Sequence, residues 1–176
     1  EESLEFSRKA IAYSWRNLKK AIDGGDVLDD LAKASYFAGK AINITKTTGP
    51  HSLSYGFTTN YGISHGHAVS LFLPFFINFH KNIDKENCND SRGHLFVIKQ
   101  MREIADILSV NFSDLEHEII NFLKELQIEI NFNNLDINKE GFKKAIQGLN
   151  QDRLKNNPRF LSKEQIIDIY TFNSKY

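Results

Sequence analysis

The chain has 176 residues, a single cysteine, and 22 acidic against 22 basic side chains, for a formal net charge of zero. That length makes one domain, or one and a half, with enough residues for a substantial core. The charge balance excludes a field that would recruit nucleic acid or an anionic membrane. The longest apolar run, Ala68 to Ile77, falls far short of the ~20 residues that cross a bilayer.

In chain order, Leu4, Ile11, Trp15, Leu18 and Ile22 recur at helical spacing, and Gly24-Gly25 closes that helix. Asp26 is the expected N-cap of a second helix, with Asp29 and Asp30 facing its dipole. Leu28, Leu31, Ser35, Ala38 and Ile42 form its expected inner stripe, and its many small residues predict a slender helix beside the histidines that follow. Thr45 to Pro50 breaks the chain, and Pro50 favours the first turn of a third helix carrying His51 and, one turn on, Tyr55. Gly62-Ile63 predicts a turn and Ser64 an N-cap. From His65 to about His80 the pattern is apolar all round, hence a buried helix, kinked at Pro74.

Lys81 to Gly93 reads as a charged loop and Leu95 to Leu108 as an amphipathic helix. Ser113 to Glu116 matches a capping box ahead of Leu115, Ile119, Phe122, Leu123 and Leu126. Asn131 to Asn138 is loop, Phe142 to Leu149 a short helix, and Ser162 to Gln165 a second capping box before Ile166, Ile167 and Tyr170. The pattern therefore predicts an all-α bundle of some seven or eight helices over residues 1–176, with no convincing strand. Cys88, in the polar KENCND stretch, reads as a surface thiol in a reducing, cytoplasmic setting. His80, His94 and His117 have no companions at ligand spacing and read as surface or boundary residues.

The chemistry concentrates between Ala34 and Pro74, where His51 and His65 stand fourteen residues apart, each beside glycine and flanked by small or apolar residues. Neutral imidazole is the commonest protein ligand for a divalent metal and suits iron and zinc alike. Two readings stand on spacing alone. Both rings are core histidines bonded to carbonyls, or both are metal ligands whose companions lie far away, since no Asp or Glu occurs between Asp30 and Asp84.

The order of features narrows this. Ala38-Gly39, then Gly49-Pro50-His51, then His65-Gly66-His67-Ala68, then the apolar run ending at Pro74, together resemble the iron-containing (group III) alcohol dehydrogenase family. The closing LNQDRLKNNPRFLSKEQIIDIY is similar to that family's final segment. The resemblance covers the family's C-terminal helical half, the half of a dehydroquinate synthase-like fold that carries the metal. It implies His51 and His65 as ligands of Fe(II) or Zn(II). Tyr55 and His67 are the candidate catalytic residues in contact with substrate, His67 reading equally as a packing residue, and Lys46 is a loop cation that either holds an anionic substrate group or is simply solvated. Many members carry histidine where Tyr55 stands, which implies altered substrate contacts. It also implies an upstream D-x-x-x-H pair completing the metal site, and an N-terminal domain binding NAD or NADP. Neither occurs ahead of His51 in these residues, and no G-x-G-x-x-G is present.

The expected function is thus that of the metal-binding half of an NAD(P)-dependent alcohol dehydrogenase or aldehyde reductase, inactive by itself, with a small alcohol or aldehyde as partner and a homodimer as an open option. KTTGPHSLSY and NNPR look most like the branch that reduces phosphonoacetaldehyde. Two alternatives stay open: a dehydroquinate synthase-like metal enzyme, and a non-catalytic helical interaction or oligomerisation module.

Overall fold

The computed structural model describes residues 1–149 and 151–176. The described residues form ten α-helical segments and a short 3-10 turn: α1 (Glu2–Ile22), α2 (Leu28–Thr45), α3 (Gly49–Tyr61), α4 (His65–Ser70), α5 (Leu73–Lys81), α6 (His94–Leu108), α7 (Leu115–Glu125), α8 (Lys139–Ala145), the 3-10 turn (Ile146–Gly148), α9 (Gln151–Lys155) and α10 (Lys163–Asn173). Among these residues there is no β-strand, only an isolated antiparallel bridge between Cys88 and Arg159. The fold is all-α, and among the described residues no helix is long and apolar enough to cross a membrane.

Two apolar clusters make the core, and α5 divides them. Phe76 and Phe79 belong to the cluster built with Leu53, Phe57, Phe72, Phe132, Phe142 and Ile169. Ile77, on the other side of α5, belongs to the cluster of α6 and α7, with Val97, Met101, Ala105, Leu115 and Ile120. A helix apolar all round is what this position requires, because both of its faces are packed. The first cluster is largely aromatic: Phe57 lies 5.1 Å from Phe72, 5.8 Å from Phe132 and 5.7 Å from Phe142, centroid to centroid. Each such pair adds to what burial alone provides.

The expected continuous helix from His65 to His80 is two helices separated by Leu71 and Phe72. Pro74 sits in the first turn of α5, where its missing N–H costs nothing but cannot serve the turn before it. Buried Asn173, at the end of α10, donates to the carbonyl of Leu71 at 2.6 Å and to that of Ile130 at 3.0 Å, which pins the break from outside. The kink is thus a complete interruption.

Other expectations are corrected by packing. The α2 helix pairs with α1 to form a hairpin, not with the histidine-bearing α3. Its buried side carries Ala34 and Ala41, whereas Leu28 (74 % exposed) and Ile42 (43 %) face outward. Phe37 of α2 stacks on Phe6 and Tyr13 of α1, which uses the small residues for the hairpin rather than for a crowded site. The N-cap of α2 is Val27, not Asp26. The expected box at Ser113 does not form: Asp114 is the N-cap of α7 without a side-chain cap bond, and the Ser113 hydroxyl donates to the Asp114 carboxylate instead. The box at Ser162 and Gln165 forms on both sides. Cys88 is half-buried against the second cluster rather than on the surface. His80 is a half-buried boundary residue: it packs beside Phe76 and Phe79, with its Nε2–H donating to Asn157 at 3.2 Å.

Candidate metal centre

The α3 helix carries two faces. Leu53 and Phe57, four residues apart, are buried in the aromatic cluster. His51 and Tyr55, also four apart, lie on the other side of the helix, His51 half-buried and Tyr55 exposed. The helix ends at Gly62, whose left-handed φ of 67° returns the chain sharply. The first residue of α4, His65, then comes back over α3 while Ala68, one turn later, is fully buried.

The result is a column of rings. The His51 and His65 centroids are 5.4 Å apart with planes inclined at 61°. Tyr55 stacks on His65 at 5.7 Å. The Arg153 guanidinium, from α9, lies over the Tyr55 ring at 4.9 Å. The structure thus brings together His51, His65 and Tyr55. His65 is exposed rather than packed inside, so the pair opens to the surface of the described chain, contrary to the interior setting that its small and apolar flanks suggested.

His67 is turned away. Its Nε2–H donates to the carbonyl of Glu129 at 2.6 Å, tying α4 to the loop after α7. Lys46 is at the exposed C-cap of α2, with a left-handed φ of 64° and its amide donating to Ile42. The loop around it is held by Asn156, whose Nδ2 donates to the carbonyls of Thr45 and Thr47. Asn157, nearly fully buried, donates to the carbonyl of Arg159 at 2.7 Å. The NNPR segment therefore docks against the loop that delivers His51. Asn150, in the same closing segment, lies outside the described residues.

The electrostatics favour neutral imidazole at His51. Burial is the main cause that lowers its basicity, followed by the nearby His65 and then the Arg153 charge. A ring that resists protonation keeps a lone pair available for a metal. Imidazole nitrogens about 2.1 Å from one tetrahedral ion set their ring centroids roughly 5 Å apart, and the observed 5.4 Å agrees. The pair fits as part of a metal's ligand set. It is not the whole of one: among the described residues, no group of three or more His, Cys, Asp or Glu side chains is placed to hold an ion. An apolar groove of about 960 Å³, lined by Ile146, Leu149, Leu154, Phe160 and Ile166, lies beside α10 and does not include the two histidines.

Arg153 is the site residue that sequence reasoning missed. It lies far along the chain from Tyr55, in a short polar helix with no spacing signal of its own, and only the docking of the closing segment reveals it.

Comparison with known proteins identifies the family. The chain is 24 % identical to a phosphonoacetaldehyde reductase of Streptomyces viridochromogenes over 168 residues, covering 94 % of the chain and 42 % of that protein. It superposes on the sulfoacetaldehyde reductase of Bifidobacterium kashiwanohense, solved in complex with NAD+, with a TM-score of 0.81 at 19 % identity, covering 99 % of the chain and 44 % of that one. An iron-containing alcohol dehydrogenase from Thermotoga maritima gives a TM-score of 0.72 at 26 % identity, covering all of the chain and 43 % of that one. The chain thus spans less than half the length of these relatives. Residues 5–173 match the C-terminal part of the Fe-containing alcohol dehydrogenase family, an oxidoreductase family to which this chain belongs.

Proposed function

We propose that this chain is the metal-bearing helical part of a nicotinamide-dependent, iron-type alcohol dehydrogenase or aldehyde reductase. The observation that supports it is the His51–His65 pair, two imidazoles at the separation a shared ion needs. In this reading His51 and His65 hold Fe(II) or Zn(II), with the remaining ligands, and the domain that binds NAD or NADP, supplied from outside these residues. Such an ion, when bound, polarises the oxygen of the alcohol or aldehyde while hydride passes between the substrate carbon and the nicotinamide.

The chain's own contribution is position. The buried face of α3 fixes His51, and the Gly62 turn fixes His65 over it. Tyr55 stacks on His65 and so walls one side of the pair. The substrate read from the relatives is a small anionic aldehyde such as phosphonoacetaldehyde, the compound named in the Streptomyces reductase.

Metal analysis of the complete protein tests the proposal. One iron or zinc per chain is expected in the parent. Its loss is expected in His51→Ala and in His65→Ala, together with loss of nicotinamide-dependent aldehyde reduction. Stoichiometric, tightly held metal in the double variant would overturn it. By itself, this chain is expected to hold metal weakly and to be inactive.

A further inference from the structure

Two arginines of this chain grip carboxylates in the same way. Arg8 and Arg92 each donate through Nε and Nη2 together, to Glu103 and to Asp90. Arg159 has the same edge, and no group among the described residues takes it. Its Nη1 donates to the carbonyl of Phe79, and its guanidinium lies over the Phe79 ring at 4.0 Å. Its Nε is buried without a hydrogen-bond partner, whereas Nη2, also without one among the described residues, is open to solvent. A buried donor on a charged group is costly to leave unpaired, so it calls for an explanation.

The charges around Arg159 do not supply one. The acidic side chain that acts on it is Asp84. The Asp84 carboxylate is held instead by the amides of Glu86 and Asn87 and by the Asn87 side chain. His80, on which Arg159 acts in turn, is kept uncharged near neutral pH by burial. Burial is also the largest influence on Arg159 and lowers its pKa, with Asp84 acting the other way. The backbone fixes the arginine in place: it forms the isolated bridge with Cys88, and its carbonyl accepts from Asn157.

Arg159 lines a pocket of about 200 Å³ whose other walls are Phe75, Asn78, Phe79, Asn82 and Phe172. No acidic residue lines it. The Asn82 side chain donates to the carbonyl and to Oδ1 of Asn78, both at 2.9 Å, which leaves Asn78 Nδ2 as a further donor. Phe75 stacks on Phe79 at 5.6 Å and meets Phe172 edge to face at 5.7 Å. A guanidinium fork matches the two oxygens of a carboxylate, and the three phenyl walls suit an apolar body. The volume is below the ~300 Å³ of a drug-sized site, so that body is about one ring.

We infer that this pocket binds a small carboxylate carried on an apolar ring. The carboxylate seats on the Nε–Nη2 edge of Arg159 and on Asn78, and the ring lies against Phe75 and Phe172. The site is separate from the candidate metal pair, since neither His51 nor His65 lines it.

The complete protein is titrated with 4-fluorobenzoate while the fluorine resonance of the ligand is followed. Saturable binding with a Kd of roughly 1 mM is expected. 4-Fluorobenzamide keeps the ring without the charge, and fluoroacetate keeps the charge without the ring. Each should bind about tenfold more weakly or worse. Arg159→Lys keeps the charge and a donor for the Phe79 carbonyl but loses the fork, and should weaken 4-fluorobenzoate about tenfold. Phe172→Ala should weaken it roughly threefold to tenfold. The double variant His51→Ala/His65→Ala should bind it as the parent does.

No saturable binding in the parent would overturn the inference, as would equal binding of the benzamide. Binding lost in the double histidine variant would assign the benzoate to the metal pair and overturn it too. Binding seen only in Asp84→Asn would show that Asp84 pairs with Arg159 in solution, with the same consequence. If Arg159→Lys does not fold, Asn78→Ala leaves Arg159 and its bond to Phe79 in place. It should weaken 4-fluorobenzoate roughly threefold, and an unchanged Kd there would overturn the inference.

Discussion

Asn156 donates from its side-chain amide to the carbonyl of Thr45 at 2.9 Å, so the end of α2 and the loop that leads into His51 are held by a residue far along the chain. Its neighbour Asn157 is buried and bonds to both Arg159 and His80. The two asparagines should therefore separate on mutation. Asn157→Ala leaves buried polar groups without partners and should lower stability by about 2 kcal/mol, read as a shift of the denaturant midpoint. Asn156→Ala, more exposed, should cost no more than about 1 kcal/mol. Because it frees the loop behind His51, a proposed metal ligand, it should lower metal affinity in the complete protein about tenfold. Competition with a chelator measures the second effect. An unchanged affinity would mean that the loop is held without it.

Two of the helical glycines, Gly56 and Gly39, should respond in opposite directions. A methyl group at Gly56 would come within 1.8 Å of the Ala145 carbonyl oxygen, which belongs to the backbone and cannot turn aside. Gly56→Ala should force α3 and α8 apart and cost about 3 kcal/mol or more. At Gly39, inside α2, nothing lies within 4 Å of such a methyl. Gly39→Ala should gain about 0.5–1 kcal/mol from helix propensity. Paired urea titrations of the two variants check both signs.

This contrast shows which parts of the fold were legible. The helices were legible because apolar residues repeat at helical spacing, but the repeat does not say which neighbour a face meets. In α2 the same heptad offers Leu28 and Ile42 or Ala34 and Ala41, and close pairing with α1 favours the alanines. The histidine pair was legible because a glycine turn and a proline-started helix are local features. Arg153 was not, because its place depends on where α9 docks. Nor was the break before α5, where a proline that could have bent one helix instead begins another.

The only tryptophan reports the docking of the α1–α2 hairpin. Trp15 stacks on Phe122 of α7 at 4.0 Å, and salt bridges from Lys19 to Glu125 and from Arg8 to Glu103 flank it. The ion pairs are exposed and contribute little, so the ring contact should dominate. Phe122→Ala should cost about 2 kcal/mol and shift Trp15 emission to the red at neutral pH. Glu125→Gln should leave the midpoint nearly unchanged and the emission unchanged.

His80 should set part of the acid limit of stability. Burial beside Phe76 and Phe79 is the main cause that lowers its pKa, to about 4, with the Asn157 bond acting the other way. The ordinary value in an unfolded chain is about 6.5. Between these values the unfolded chain binds a proton that the folded one refuses, so stability is full above about pH 6.5 and falls as the pH drops towards 4. The loss at pH 4 should be on the order of 3 kcal/mol. His80→Gln cannot titrate and keeps an N–H for Asn157. Lowered carboxylate pKa values, such as that of Asp90 beside Arg92, add their own acid sensitivity to both proteins, so the difference between them is what matters. Stability curves of parent and variant should therefore converge as the pH falls from 6.5 to 4, the variant losing less. Parallel curves over that range would show that the His80 ring protonates as readily in the folded protein as in the unfolded chain.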